Sequence, residues 1–136
     1  MEKVFFLKEI EMFKNVKISE LTHIAEIMQE VHFNKNETIF KEEEVGDAMY
    51  FVVQGKVQIL KEEKPVASIM NNGTFGDFAI LDNAPRYFTA TAFTETDALK
   101  IDASDFFYLV EDHIEIAFGI FKVLTRRIMT KNIYEK

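Results

Sequence analysis

The chain has no cysteine and no tryptophan, and its 136 residues include only two prolines, five glycines and three histidines. Lack of cysteine excludes disulfides and thiolate catalysis, and nothing then argues for secretion. Long apolar runs are missing too. The N-terminal run Val4-Phe5-Phe6-Leu7 is flanked by charge and is too short for a signal-peptide core. No later run approaches the roughly 20 residues of a membrane span. The expectation is a soluble, cytoplasmic protein with no membrane partner. His23, His32 and His113 are scattered along the chain, so no metal site or catalytic base cluster is expected from them. No Ser-His-Asp set, carboxylate pair or triphosphate motif stands out, and no catalysis is expected. Positive charge is in deficit, with 16 Lys and Arg against 23 Asp and Glu, a net charge of −7. Nucleic-acid surfaces need clustered cations, so none is expected within this chain, although one small basic pocket is compatible with that balance.

What is present is apolar mass. Hydrophobic residues make up 48% of the chain and fourteen are phenylalanine, enough for one domain with a core built largely on Phe. Val4, Leu7, Ile10, Met12 and Phe13 predict a short helix or helical turns over residues 3–14. Ser19 is a suitable N-cap for a second helix carrying Leu21, Ile24, Ala25, Met28 and Val31, ending near Gln29 to Val31. From His32 the pattern becomes β-like. Thr38–Phe40, Ala48–Val53, Lys56–Leu60, Val66–Met70, Phe88–Phe93 and Leu99–Ile101 read as short strands. Turn signals separate them, among them Gly46-Asp47, Gln54-Gly55, Lys61–Pro65 and Asn71–Gly73. The acidic group Glu42, Glu43, Glu44 and Asp47 lacks an ordered cation-ligand spacing and reads as a solvated loop. Asp102 or Ser104 can cap a helix with Phe106, Phe107, Leu109 and Val110. A longer helix follows from about Ile114 to Ile133, with a stripe of Ala117, Phe121, Leu124 and Ile128 flanked by Ile114, Phe118, Ile120 and Val123. The expected layout is one domain over 1–136, mainly β with flanking helices: helices over about 3–31, a β-roll over about 32–101 and helices over about 103–133.

One stretch gathers bare backbone, an acid and a lone cation: Phe75-Gly76-Asp77-Phe78-Ala79-Ile80-Leu81-Asp82-Asn83-Ala84-Pro85-Arg86-Tyr87-Phe88-Thr89. Backbone N–H groups and a guanidinium suit a phosphate, and a carboxylate suits a hydroxyl. Each residue also has a plainer role. Arg86 can pair with an acid on the roll such as Asp77, Asp77 can cap a short helix at Phe78–Ile80, and Tyr87 and Phe88 can be strand core residues.

The order of helices, β-roll and helices, with this stretch inside it, resembles the cyclic nucleotide-binding domain family from about Met12 to Ile128. Leu21–Ala25 is similar to the family's first helix, and Thr38–Phe40 and Gly46–Val57 to its signature strands. Gly73, Phe75-Gly76 and Ala84-Pro85-Arg86 resemble its phosphate-binding cassette, and Asp105–Arg127 its closing helices. The resemblance implies a jelly-roll-like β-roll (a double-stranded β-helix) with N-terminal helices and a C-terminal helical pair. It implies a regulatory module without cofactor, whose ligand is cAMP or cGMP. In the family the arginine pairs with the cyclic phosphate, the acid after the glycine binds the ribose 2′-hydroxyl, and backbone amides complete the cradle. The matching positions are Gly76, Asp77, Phe78, Ala79, Arg86, Tyr87, Phe88 and Thr89. The family's C-terminal helix commonly caps the ligand and forms a homodimer; the effector it addresses is not readable. Two departures stand out. Asp77 is one methylene shorter than the usual Glu, and Tyr87 and Phe88 replace small residues. They motivate a second expectation, a degenerate module that has lost its ligand and serves protein–protein or intramolecular contact.

Overall fold

The computed structural model describes the backbone from Met1 to Tyr134 and the side chains from Met1 to Thr130. The described residues form two compact units, one helical and one β. In the helical unit, α1 (Lys3–Lys8) is followed by a 3-10 turn at Glu11–Phe13 and by α2 (Ile18–Glu26). The unit resumes at Phe106 within α4 (Ala103–Asp112) and ends in α5 (Ile114–Tyr134). Its buried side chains are Leu7, Ile10, Met12, Phe13, Leu21 and Ile24 from the first part, and Phe106, Ile116, Ile120 and Val123 from the second. The buried stripe of α5 is therefore Ile116 with Ile120 and Val123, the latter two expected only as flanks, while Phe121 and Ile128 of the expected stripe are exposed. Both stripes obey helical spacing, and only packing chooses between them.

Two other expectations for the helices are corrected. The N-cap of α2 is Lys17, in extended conformation; Ser19 lies inside the helix, where its carbonyl accepts a hydrogen bond from Thr22 Oγ1 at 2.7 Å. The helix also stops at Glu26, and Met28 and Val31 belong to strand β1 (Met28–Phe33). Those residues keep a helical spacing by coincidence, but pairing of Met28 with Ile101 and Val31 with Ala98 draws them into a sheet.

The β unit covers Met28–Asp105. Its other strands are β2 (Thr38–Phe40), β3 (Ala48–Gln54), β4 (Val57–Lys61), β5 (Lys64–Ile69), β6 (Thr74–Phe75), β7 (Thr89–Ala92) and β8 (Thr96–Asp102). They form two four-stranded sheets, ordered β1-β8-β3-β6 and β2-β7-β4-β5, with every pairing antiparallel. This is the expected jelly-roll-like β-roll. Tyr50, Val52 and Phe75 from one sheet meet Phe40, Val57, Ile59 and Ala90 from the other in a shared apolar cluster. The turn expected at Lys61–Pro65 is tighter. Glu62 and Glu63 both take positive φ, as a two-residue hairpin requires, and Pro65 lies in the edge strand β5 opposite Leu60.

Candidate functional site

The cassette hangs between β6 and β7. Gly76, at φ 79°, turns the chain out of β6 into α3 (Asp77–Leu81). Left-handed backbone explains part of the need for glycine here. Space explains the rest, since a Cβ at Gly76 would stand 3.0 Å from Arg86 Nη1 and 3.2 Å from the Ala48 carbonyl. Gly46 serves the same arrangement from the facing loop, where a Cβ would meet the Ala79 Cβ at 2.4 Å. Because Gly76 is itself the N-cap of α3, Asp77 is the first residue of the helix rather than its cap, and its side chain is buried.

Arg86 is the centre of the site. Its side chain is 2% exposed. Nη1 donates to the Gly76 carbonyl at 2.7 Å and Nη2 to the Ala48 carbonyl at 2.6 Å. The guanidinium carbon lies 3.9 Å from the centre of the Phe40 ring. Nη2 is 3.5 Å from Asp47 Oδ1, on a side chain that faces solvent. Nε is buried and has no hydrogen-bond partner among the described residues. Burial pushes the guanidinium below its usual pKa, opposed by Tyr50, Asp47 and Glu44. The arginine backbone is clasped by the acidic loop: Arg86 N–H donates to Glu44 O, and Glu43 N–H to Arg86 O.

Tyr87 and Phe88 lie in a bend just before β7 and differ in burial, Tyr87 exposed and Phe88 half-buried. Tyr87 is 63% exposed, with Lys61 Nζ 3.8 Å above its ring and bonded to its carbonyl at 3.1 Å. Phe88 turns inward against the apolar cluster between the sheets. The two rings meet edge to face at 4.9 Å. With Phe78, Ala79, Asp82, Ala84 and Pro85 they line a cleft of about 260 Å³.

Thr89 faces the Glu42 loop. Its Oγ1 accepts from Glu42 N–H at 3.1 Å and donates to Glu42 Oε2 at 3.4 Å. Glu42 also accepts from Glu62 N–H at 2.9 Å and pairs with Lys61 at 3.3 Å, and the Glu62 contact foremost holds its pKa below the carboxylate range. Glu42 is therefore no solvated loop acid. It ties the β4–β5 hairpin to the rim of the cassette.

Of the eight predicted positions, Gly76 and Arg86 are joined by the hydrogen bond from Nη1, and Asp77 is buried one residue beyond Gly76. Phe78, Ala79, Tyr87 and Phe88 form the cleft wall, and Thr89 belongs to the rim. The wall beside Arg86 was missed in the sequence. Phe40, Tyr50 and Phe75 stack on one another at 5.0 to 6.3 Å, and Phe33 meets Tyr50 edge-on at 5.8 Å. Each was legible as an apolar strand residue, but their convergence depends on the pairing of the sheets. The histidines need a second correction. His23 and His113 are not apart: their rings stack at 4.2 Å, beside Glu20. The visible signal was the three-residue spacing of Glu20 and His23 on one helix.

The sequence model of the cyclic nucleotide-binding domain matches residues 30–113. A CRP-like cAMP-activated global transcriptional regulator of Mycobacterium tuberculosis is 31% identical over 126 residues, covering 89% of this chain and 56% of that protein. A cAMP-dependent protein kinase regulatory subunit of Emericella nidulans is 33% identical over 103 residues, covering 74% of this chain and 25% of that protein. The chain thus spans about half, or less, of the length of these relatives. Among solved structures, the N-terminal domain of a transcriptional regulator from Streptomyces coelicolor A3(2) superposes with a TM-score of 0.83 at 25% identity, covering 93% of this chain and 94% of that one. A buried cassette arginine behind a glycine turn, the two-sheet roll that holds it and these matches lead to one conclusion: the chain belongs to the cyclic nucleotide-binding domain family.

Proposed function

We propose that this chain is a regulatory module, without catalysis of its own, that binds a cyclic nucleotide with the phosphate on Arg86. The observation that carries this reading is the state of the arginine. It is a buried cation whose Nε has no partner and whose carboxylate contact is a long one to an exposed Asp47. An under-compensated buried charge is costly, and an anion in the guanidinium plane relieves that cost through charge-assisted bonds. Asp77, buried at the start of α3, is the group for a ribose hydroxyl. The cleft is slightly smaller than the roughly 300–1,000 Å³ usual for small-molecule sites. Entry of a whole nucleotide therefore moves Tyr87 outward or shifts α3.

A route to the helices starts at Asp47. Its carboxylate faces Arg86, and its carbonyl accepts the N–H of Ala103, the first residue of α4, at 2.8 Å. A phosphate competing for Arg86 frees Asp47 and changes the anchorage of α4. The output is then a population shift, sized by the ligand's differential affinity for the two helix arrangements. In this reading the two units work as one module and the signal leaves through α4 and α5. A second copy of the chain covers the exposed groove of α5 lined by Phe118, Phe121, Lys122, Thr125, Arg126 and Met129; Phe121→Glu would then leave a monomer in analytical ultracentrifugation.

The test is thermal melting with cAMP and cGMP. At a hundred-fold excess over Kd the bound state gains about 2.7 kcal/mol, a readily measured rise in Tm. A flat melting temperature at millimolar nucleotide sinks the ligand reading. It would favour the degenerate module instead, for which Phe88 packed into the core and both Nη atoms engaged by carbonyls are the supporting observations.

A further inference from the structure

We propose that Glu20, His23 and His113 form a binding site for a divalent transition metal of the Zn²⁺ class, set entirely within the helical unit. One ligand atom from each of the three lies within 4.8 Å of the other two. Glu20 and His23 are three residues apart on α2, a spacing that puts both side chains on one face. His113 is the joint between α4 and α5. Its backbone is held on both sides, with N–H donating to Leu109 O at 2.8 Å and its carbonyl accepting from Ile116 N–H at 2.9 Å. Its ring is stacked on that of His23, at 4.2 Å and 26°.

The second observation is the state of the carboxylate. Glu20 Oε2 is buried and has no aligned hydrogen-bond donor among the described residues, although His113 Nδ1 is only 3.0 Å away. A carboxylate lone pair and an imidazole nitrogen that converge without N–H···O alignment suit a shared cation better than a shared proton. Two imidazoles and one carboxylate are the donor set of Zn²⁺ and its first-row neighbours, whereas Mg²⁺ and Ca²⁺ prefer all-oxygen shells. Zn–N and Zn–O bonds of about 2.0–2.2 Å in a tetrahedron place donors roughly 3.3 Å apart. Glu20 Oε2 and His113 Nδ1 already stand 3.0 Å apart, and from the 4.8 Å limit any other pair of donors needs to close by at most about 1.5 Å. Water completes the fourth position. The bound ion would cross-link α2 to the α4–α5 joint, residues some ninety positions apart in the chain, and so stabilise the helical unit.

The experiment uses the full chain, freed of any purification tag and stripped with chelator. ZnCl₂ should raise Tm by roughly 5 °C or more at a hundred-fold excess over Kd, and MgCl₂ should not. CoCl₂ should give visible d–d absorption. Glu20→Gln, His23→Gln and His113→Gln should each remove the Tm rise, while His32→Gln, whose ring lies on the β unit, should retain it. Proton NMR of the unsubstituted chain supplies a readout independent of variant folding: one equivalent of Co²⁺ should shift the ring signals of His23 and His113 and spare His32. A flat Tm with millimolar Zn²⁺, a rise that survives His23→Gln, or ring shifts confined to His32 would each overturn the proposal.

Discussion

Two basic side chains of the β unit, Arg86 and His32, sit in opposite surroundings. His32, half exposed on β1, has a carboxylate on each ring nitrogen: Asp97 Oδ1 on Nδ1 at 2.7 Å and Glu95 Oε1 on Nε2 at 2.9 Å. Asp97 foremost, and then Glu95, raise its pKa. Arg86 is buried, stacked on Phe40, bonded to two neutral carbonyls and left with an unpartnered Nε. The surface group is saturated by acids where water would already have served it. The interior group is kept short of negative charge where shortage is most costly. The first arrangement fastens β1 to β8 across His32 and Asp97, and the second is the feature on which the proposed anion site rests.

Substitutions test that contrast, and the largest effect belongs to Arg86. Arg86→Ala removes the donors for Gly76 O and Ala48 O and opens a cavity, so urea melts should show a loss of about 2–5 kcal/mol. The Tm rise with cyclic nucleotide should vanish as well; a rise that persists removes Arg86 from its assigned role. Gly76→Ala follows at about 1–3 kcal/mol, because it forces left-handed backbone on alanine and presses a methyl toward Nη1 and the Ala48 carbonyl. Nucleotide should then bind more weakly, since the guanidinium must shift. Phe88→Ala costs about 1–2 kcal/mol, less than a fully buried phenylalanine, and should increase the nucleotide-induced Tm shift by opening the cleft. A reduced shift would mean that Phe88 supports the ligand instead of displacing it.

The smallest effect belongs to His32. Its folded pKa is raised above the unfolded 6.5, so its contribution is fully present below that value and is lost as pH rises through the folded one. Glu95 is held low by Lys35 N–H first and by His32 next, so its contribution is present above the unfolded 4.5 and lost as pH falls through its folded value. Together they favour the window between those unfolded values. His32→Gln should flatten the decline in urea midpoint between pH 6 and 8 and leave nucleotide binding unchanged. An unaltered slope would show that the exposed cluster contributes nothing, as many surface pairs do.

Much of the roll was readable in advance because strand alternation and turn residues are local. Thr38–Phe40 coincides with β2, and Ala48–Val53 lies within β3. The misreadings fall where local pattern is ambiguous and distant pairing decides. Met28 and Val31 fit a helix as well as a strand until Ile101 and Ala98 take them. The α5 stripe was displaced for the same reason, since a helix with apolar residues on nearly every face does not reveal which one will be buried. Within the candidate site, the glycine turn and the lone cation made Gly76, Asp77 and Arg86 candidates from the sequence. The Phe40–Tyr50–Phe75 wall and the clasp of Arg86 by Glu43 and Glu44 were not legible, because they join strands and loops far apart in the chain.

Sequence alone therefore determined the class of fold and, through resemblance to the family, pointed to a cassette, because spacing, turn chemistry and the glycine–acid–arginine order are properties of neighbouring residues. Tertiary structure decided what those residues experience. It turned Tyr87 outward and Phe88 inward, buried Arg86 without a full complement of partners, and brought His113 onto His23. Burial, partner count and contact between distant segments are set by packing, and packing is not a local quantity.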